Sequence, residues 1–131
     1  MSASYQLSLI SYIRIAQDEY FSTNNLGSFQ DAINNYDKGL AIDPNNIELL
    51  ANKGQTLFKA EKYIEAIQVL DKCFVVDPNE VSCNYYKGLS LEKLGRISEA
   101  NEYKDKAAQI DPNYEGEFVT KFNSSKFKPA I

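Results

Sequence analysis

The chain lacks histidine and tryptophan, and it has only two cysteines among its 131 residues. Without histidine it can form neither a Ser-His nor a Cys-His nucleophile, nor a His-ligated zinc site. Two thiols are also too few for a four-cysteine zinc site. They do not suggest a secreted disulfide framework either. Cys83, near the start of a helix, could lie close to Cys73, but in a reducing compartment the two are predicted to be free thiols.

Positive charge is scarce as well. The 14 lysines and arginines are outnumbered by 18 acidic residues, which gives a net charge of -4. Nucleic acids and anionic membranes attract clustered Lys and Arg, so neither is expected as a partner. Long apolar runs and a basic N-terminal region are absent, which disfavours a membrane or targeting segment. We therefore expect a cytoplasmic protein, and because no convergent polar constellation is visible, one with no enzymatic activity and no cofactor or metal.

What the chain does have is internal repetition. Asp-Pro-Asn recurs every 34 residues, beginning at Asp43, Asp77 and Asp111. Apolar and small residues coincide at the same interval, and a period of this length indicates a repeat architecture. Each unit carries two apolar stripes at helical spacing, which predicts a pair of helices. One pair cannot bury both of its apolar faces, so neighbouring pairs are expected to stack.

Proline and small residues define the helix pairs. The proline of each Asp-Pro-Asn disfavours the α conformation in the residue before it and so ends a helix. Asn45 is then predicted to cap the next helix, with Glu48 three residues later. Small residues on paired helices are predicted to let the two backbones approach closely, as Gly88 and Ala100 do in the third unit.

With this period and these positions, the sequence resembles the tetratricopeptide repeat (TPR) family over residues 13–114, as units 13–46, 47–80 and 81–114. The positions that carry the repeat signature are Gly54, Ala66, Cys73, Pro78, Gly88, Ala100, Ala107, Pro112, Ala32, Gly39 and Pro44. The resemblance implies an all-α fold, a right-handed superhelical solenoid of helix-turn-helix units. The opening helix of the first unit departs from the pattern, since Tyr20 occupies the glycine position.

Flanking segments are predicted at both ends of the array. An extended first helix is expected from about residue 4 to residue 21. Phe118, Val119 and Phe122 recur at helical spacing, which predicts a capping helix over residues 115–124. Residues 125–131 are expected to be a flexible tail.

The resemblance also implies a binding surface. In the family, the first helices of the units line a concave face that binds a peptide or an amphipathic helix of another protein. The candidate contact residues on that face are Asn52, Gln55, Phe58, Lys59, Tyr85, Leu89, Lys93, Phe21 and Gln17. Asn52 stands where family members commonly contact the ligand main chain. Phe58 and Leu89 either contact the ligand or are covered by neighbouring helices.

The chaperone-binding subgroup of the family is matched poorly. Its clamp for a C-terminal Glu-Glu-Val-Asp agrees only at Asn52, whereas Gln17, Phe21, Ser82 and Tyr86 stand at its other positions. Without the clamp's cations, nothing is placed to neutralise the ligand's carboxylates. A non-catalytic adaptor is therefore favoured, while a self-associating structural subunit or a module of a larger assembly remains an alternative. The sequence leaves open whether the protein is a monomer or a homodimer.

Overall fold

A computed structural model describes residues 8–16 and 26–119 of the chain. These ranges contain six helices and no strand, which confirms the all-α prediction. The helices are α1 (8–16), α2 (Leu26–Ile42), α3 (Ile47–Lys59), α4 (Tyr63–Val76), α5 (Val81–Lys93) and α6 (Ile97–Ile110). The predicted beginning of the first helix, the tail 125–131, and Gln17 and Phe21 lie outside the described residues.

The helices repeat as regularly as the sequence does. Helix α5 begins and ends 34 residues after α3, and α6 stands in the same relation to α4. Each helix from α2 to α5 packs on the next, and α3 also contacts α5. This arrangement is a helical-repeat solenoid in which the first helices of the second and third units lie side by side. Among the described residues, no helix combines the length and apolar character that crossing a bilayer requires.

Helix α3 is capped one residue later than predicted. The side-chain oxygen of Asn46 accepts a hydrogen bond from the Leu49 N–H at 3.0 Å. Asn46 also donates to the Asp43 carboxylate at 3.2 Å. Pro44 and Asn45 form the turn itself, so the capping role passes to the next residue. The cap satisfies one of the N–H groups left without a partner at the helix start.

Small residues set the spacing of the helix pairs, as predicted. A Cβ atom added at Gly88 would lie 2.6 Å from Lys104 Cγ and 3.1 Å from the Ala100 carbonyl oxygen. A Cβ atom at Gly54 would overlap the side chain of Leu70. Backbone and side chain of the second helix therefore occupy the space that a larger residue needs, and α3 and α5 can pack closely only with glycine at these positions.

Ion pairs repeat between units. Lys53 Nζ lies 2.6 Å from Asp37 Oδ1, and one period later Lys87 Nζ lies 2.6 Å from Asp71 Oδ1. Lys87 also lies 4.4 Å from the ring centroid of Tyr103. Burial lowers the pKa of Lys87, but the hydrogen bonds to Asp71 and Tyr103 outweigh it and hold the pKa above its ordinary value. The repeated aspartates thus connect the second helix of one unit to the first helix of the next.

The two cysteines form a disulfide, so the prediction of free thiols is wrong. Cys73 on α4 and Cys83 on α5 have Cα atoms 6.6 Å apart and are both fully buried. Stacking of the third unit on the second brings α4 and α5 together, so the proximity of the two cysteines, which the sequence allows, becomes a covalent bond between units. Disulfides persist in oxidising compartments. The expectation of a reducing compartment, which was based on free thiols, therefore loses its support.

Candidate peptide-binding groove

The groove formed by α3 and α5 is occupied by the protein's own chain. Residues 114–119, here called the C-terminal segment, follow α6 and return across α5 and α3 without forming a helix. The predicted capping helix 115–124 is therefore wrong over residues 115–119, and its remainder lies outside the described part of the chain. The main-chain groups of Gly116 and Val119 bond to groove side chains, and these bonds replace those that a helix would form internally.

Asn52 holds the main chain of Val119 by two hydrogen bonds. Its side-chain amide donates to the Val119 carbonyl oxygen at 2.7 Å, and the Val119 N–H donates to Asn52 Oδ1 at 2.8 Å. Asn52 is 0% exposed, so both bonds are shielded from water. This pairing satisfies the donor and the acceptor of one residue and does not depend on that residue's side chain.

Gln55 and Tyr86 converge on a second main-chain group. The Gln55 amide and the Tyr86 hydroxyl each donate to the Gly116 carbonyl oxygen at 2.9 Å. Gly116 has a φ of 101°, which side chains of L-residues strongly disfavour. A Cβ atom at this position would also lie 2.5 Å from the Tyr86 hydroxyl oxygen. Conformation and space both require glycine here.

Apolar contacts anchor the two ends of the segment. Val119 is 4% exposed and belongs to the same buried cluster as Leu50, Ala51 and Tyr86. At the other end, the Tyr114 ring meets Tyr85 edge-on at 5.0 Å between centroids. The Tyr114 hydroxyl donates to the Glu117 carbonyl oxygen at 2.6 Å. Burial raises the pKa of Tyr114 far above its ordinary value.

The predicted contact residues divide into three groups. Asn52, Gln55 and Tyr85 contact the C-terminal segment. Phe58 and Leu89 are half-buried and pack against the core, with the Phe58 ring 5.6 Å from Tyr63 and 5.5 Å from Tyr86.

The third group is charged. Lys59 and Lys93 are exposed in the last turns of α3 and α5, and none of the hydrogen bonds to the segment described above involves them. Residues that the sequence analysis did not assign to the site are Tyr86, Gly116 and Val119. The sequence does contain a signal for Tyr86: it stands one period after Asn52 and therefore occupies the same position in the next unit.

Comparison with known families gives one match. Residues 25–107, more than half of the chain, match the family described as anaphase-promoting complex, cyclosome, subunit 3. The chain belongs to this family. Together with the 34-residue period and the paired helices, the match makes the chain a TPR protein. Comparison with curated proteins finds no match.

Solved TPR domains share the fold. The second TPR of Spaghetti (RPAP3), bound to HSP90 peptide SRMEEVD, is 22% identical with a TM-score of 0.73, over 84% of this chain and 100% of that chain. The second TPR domain of human RPAP3, in complex with HSP70 peptide SGPTIEEVD, is 22% identical with a TM-score of 0.74, over 86% and 90%. The Arabidopsis OM64 TPR domain is 17% identical with a TM-score of 0.76, over 86% and 89%. At these identities the similarity concerns the fold alone.

Proposed function

We propose that this TPR protein is a non-catalytic adaptor whose groove between α3 and α5 binds an extended peptide segment of another protein. The observation that carries the proposal is the pair of hydrogen bonds between Asn52 and the main chain of Val119. A fully buried amide that pairs with both the N–H and the C=O of one residue is suited to holding a polypeptide main chain. The peptides bound by the RPAP3 domains support the same use of this fold.

The hydrogen bonds favour an extended ligand over a helical one. In an α-helix the main-chain N–H and C=O groups bond to one another and are not available to a groove side chain. Asn52 needs both groups of one ligand residue, and Gln55 with Tyr86 needs a carbonyl oxygen three residues away. An amphipathic helix would leave these buried amides without partners, which is costly.

Acidic chaperone C-termini fit the groove less well. The side chains that hold the segment are the neutral groups of Asn52, Gln55 and Tyr86, and no cation accompanies them in the hydrogen bonds described. Glu115 and Glu117 of the segment are exposed, so the groove does not bury the acidic side chains of the peptide that it holds. A ligand recognised by its main chain and apolar side chains is therefore the better candidate.

The family match supports a second candidate. A family described by a subunit of the anaphase-promoting complex suggests that the protein works as a structural subunit of an assembly. The groove would then bind a segment of a neighbouring subunit. The ligand chemistry is the same in both cases.

A displayed library of random peptides tests the proposed function. We expect the full-length protein, screened both as wild type and as Gly116→Val so that its own segment does not mask the groove, to select peptides whose binding is lost when Asn52→Ala is introduced. The matched control is Asn84→Ala, which removes an equally buried asparagine whose side-chain amide donates to the Pro78 and Glu80 carbonyl oxygens and not to the segment. If no peptide is enriched, or if Asn52→Ala binds the selected peptides as well as wild type does, the assignment of the groove is wrong.

A further inference from the structure

We propose that the C-terminal segment is a built-in competitor for the groove, and that the partner peptide shares its pattern, Tyr-x-Gly-x-x-Val. The segment must leave before such a partner binds. This inference rests on the proposed function, that the groove accepts an extended peptide.

Glycine is the most selective feature of the pattern. Gly116 combines a positive φ with a Cβ position that lies 2.5 Å from the Tyr86 hydroxyl oxygen. Its carbonyl oxygen accepts from two side chains at once, which fixes the peptide unit in this orientation. A ligand with any L-residue at this position must change its backbone conformation and lose at least one of these bonds.

The flanking positions of the pattern select by burial. The side chain of Val119 enters a cluster that includes Leu50 and Ala51, and it is 4% exposed. Tyr114 packs its ring on Tyr85. Glu115 and Glu117 are exposed, so the intervening positions are free to vary. The spacing from tyrosine through glycine to valine is thus set by the groove.

The segment is separable from the repeats that it contacts. Its hydrogen-bonding partners in the groove belong to α3 and α5, whereas the chain enters the segment from the end of α6. The repeat units are complete before it begins, so a foreign strand of the same pattern can replace it. A short tether gives an effective concentration of order millimolar. If the segment itself has micromolar intrinsic affinity for the groove, it therefore weakens the apparent binding of any competing ligand by about a thousandfold.

Fluorescence anisotropy with a labelled peptide tests the proposal. The probe is Pro-Asn-Tyr-Glu-Gly-Glu-Phe-Val-Thr, the sequence of residues 112–120, and a second probe carries alanine in place of glycine. The proteins are full-length wild type, Gly116→Val, and the matched control Glu115→Val, which places the same side chain at an exposed neighbour. Circular dichroism and urea unfolding verify that each variant is folded.

We expect Gly116→Val to bind the glycine probe at least tenfold more tightly than wild type, because its own segment no longer fits. Glu115→Val should bind as wild type does. The alanine probe should bind Gly116→Val at least tenfold more weakly than the glycine probe. If Gly116→Val does not fold, isotope-labelled wild type is titrated instead with millimolar glycine probe and followed by NMR. The probe should then displace the segment and shift the amide signals of residues 114–119.

Three results would overturn the inference. Equal affinity of wild type and Gly116→Val means that the segment does not compete. Equal affinity for the two probes means that the groove does not select glycine. Absence of binding to any folded protein, or unchanged amide signals, means that the pattern is not the ligand. None of these results decides the proposed function, which is tested by the peptide library. It is supported if library peptides bind through Asn52, and it fails if they do not.

Discussion

Replacing Asn52 with alanine should release the C-terminal segment while the repeats stay folded. If the segment remained docked, the Val119 N–H and C=O would be buried without partners, at about 1–3 kcal/mol for each group. If it leaves, the burial of the Val119 side chain is lost, which is worth about 1.5–3 kcal/mol. In either case the free energy of docking becomes less favourable by about 2 kcal/mol or more. When the segment leaves the groove, the Val119 N–H and C=O form hydrogen bonds with water and are no longer unpaired. Release is therefore the expected outcome.

Hydrogen exchange of the Val119 amide measures this effect directly. That amide donates to Asn52 Oδ1 at 2.8 Å, so its exchange reports docking of the segment. A loss of about 2 kcal/mol or more corresponds to exchange at least about 25-fold faster, and complete release of the segment raises it to the rate of an unprotected amide. Amides in the middle of α4 and α6 should change far less, because those helices do not depend on the segment for their hydrogen bonds.

Asn84→Ala separates this effect from a general loss of stability. Asn84 is as buried as Asn52 and donates to the Pro78 and Glu80 carbonyl oxygens at 3.1 and 2.9 Å. Its replacement should destabilise the beginning of α5 and leave exchange at Val119 close to the wild-type rate, because the hydrogen bonds of Asn84 do not hold the segment. Similar acceleration in the two variants, or none in Asn52→Ala, would refute the claim that Asn52 holds the segment.

Three further perturbations follow from the packing. Gly54→Ala places a Cβ atom against Leu70 and should lower the free energy of unfolding by about 1–3 kcal/mol in urea titrations; an unchanged midpoint would contradict the close packing of α3 on α4. Reduction of the Cys73–Cys83 disulfide, which closes a loop between residues 10 apart, should cost about 2–3 kcal/mol in the same assay, and equal stability with and without reductant would contradict a formed bond. The raised pKa of Tyr114 means that its stabilisation is complete below the ordinary value of about 10 and is lost as pH rises above it. Tyr114→Phe should therefore lose less stability than wild type between about pH 9 and 11, and identical pH profiles would show that Tyr114 is not buried in solution.

The repeat period explains why most of the fold is predictable. Helix boundaries from α3 to α6 follow from a pattern that occurs three times, so each local signal is supported by two others. Asn52 and Gln55 were placed in the groove because the family resemblance assigns a role to their unit positions. The interpretation of Phe58 and Leu89 as packing residues, one of two alternatives, agrees with their contacts with the core.

The C-terminal segment was not predictable because its partners are remote in sequence. Asn52 and Val119 are 67 residues apart, and no periodic pattern connects them. The spacing of Phe118, Val119 and Phe122 fits a helix, but Gly116 with its positive φ breaks the helical conformation, and groove side chains supply the hydrogen bonds instead. Local periodicity was overridden by tertiary contacts. The disulfide has a different explanation: the sequence allows Cys83 to lie close to Cys73, but the expectation of a reducing compartment favours free thiols.

The repeat geometry accounts for the three-residue interval between the two main-chain contacts of the segment, at Gly116 and Val119. Asn52 and Tyr86 occupy the same position in adjacent units, and they bond to residues 119 and 116 respectively. Packed helices lie about 8–10 Å apart, and three residues of extended chain span about 10 Å. The spacing of Asn52 and Tyr86 thus matches the three extended residues between Val119 and Gly116, and the longer side chain of Gln55, one turn along α3 from Asn52, reaches the same Gly116 oxygen. A helix, which advances about 4.5 Å in three residues, would lose this register after one unit.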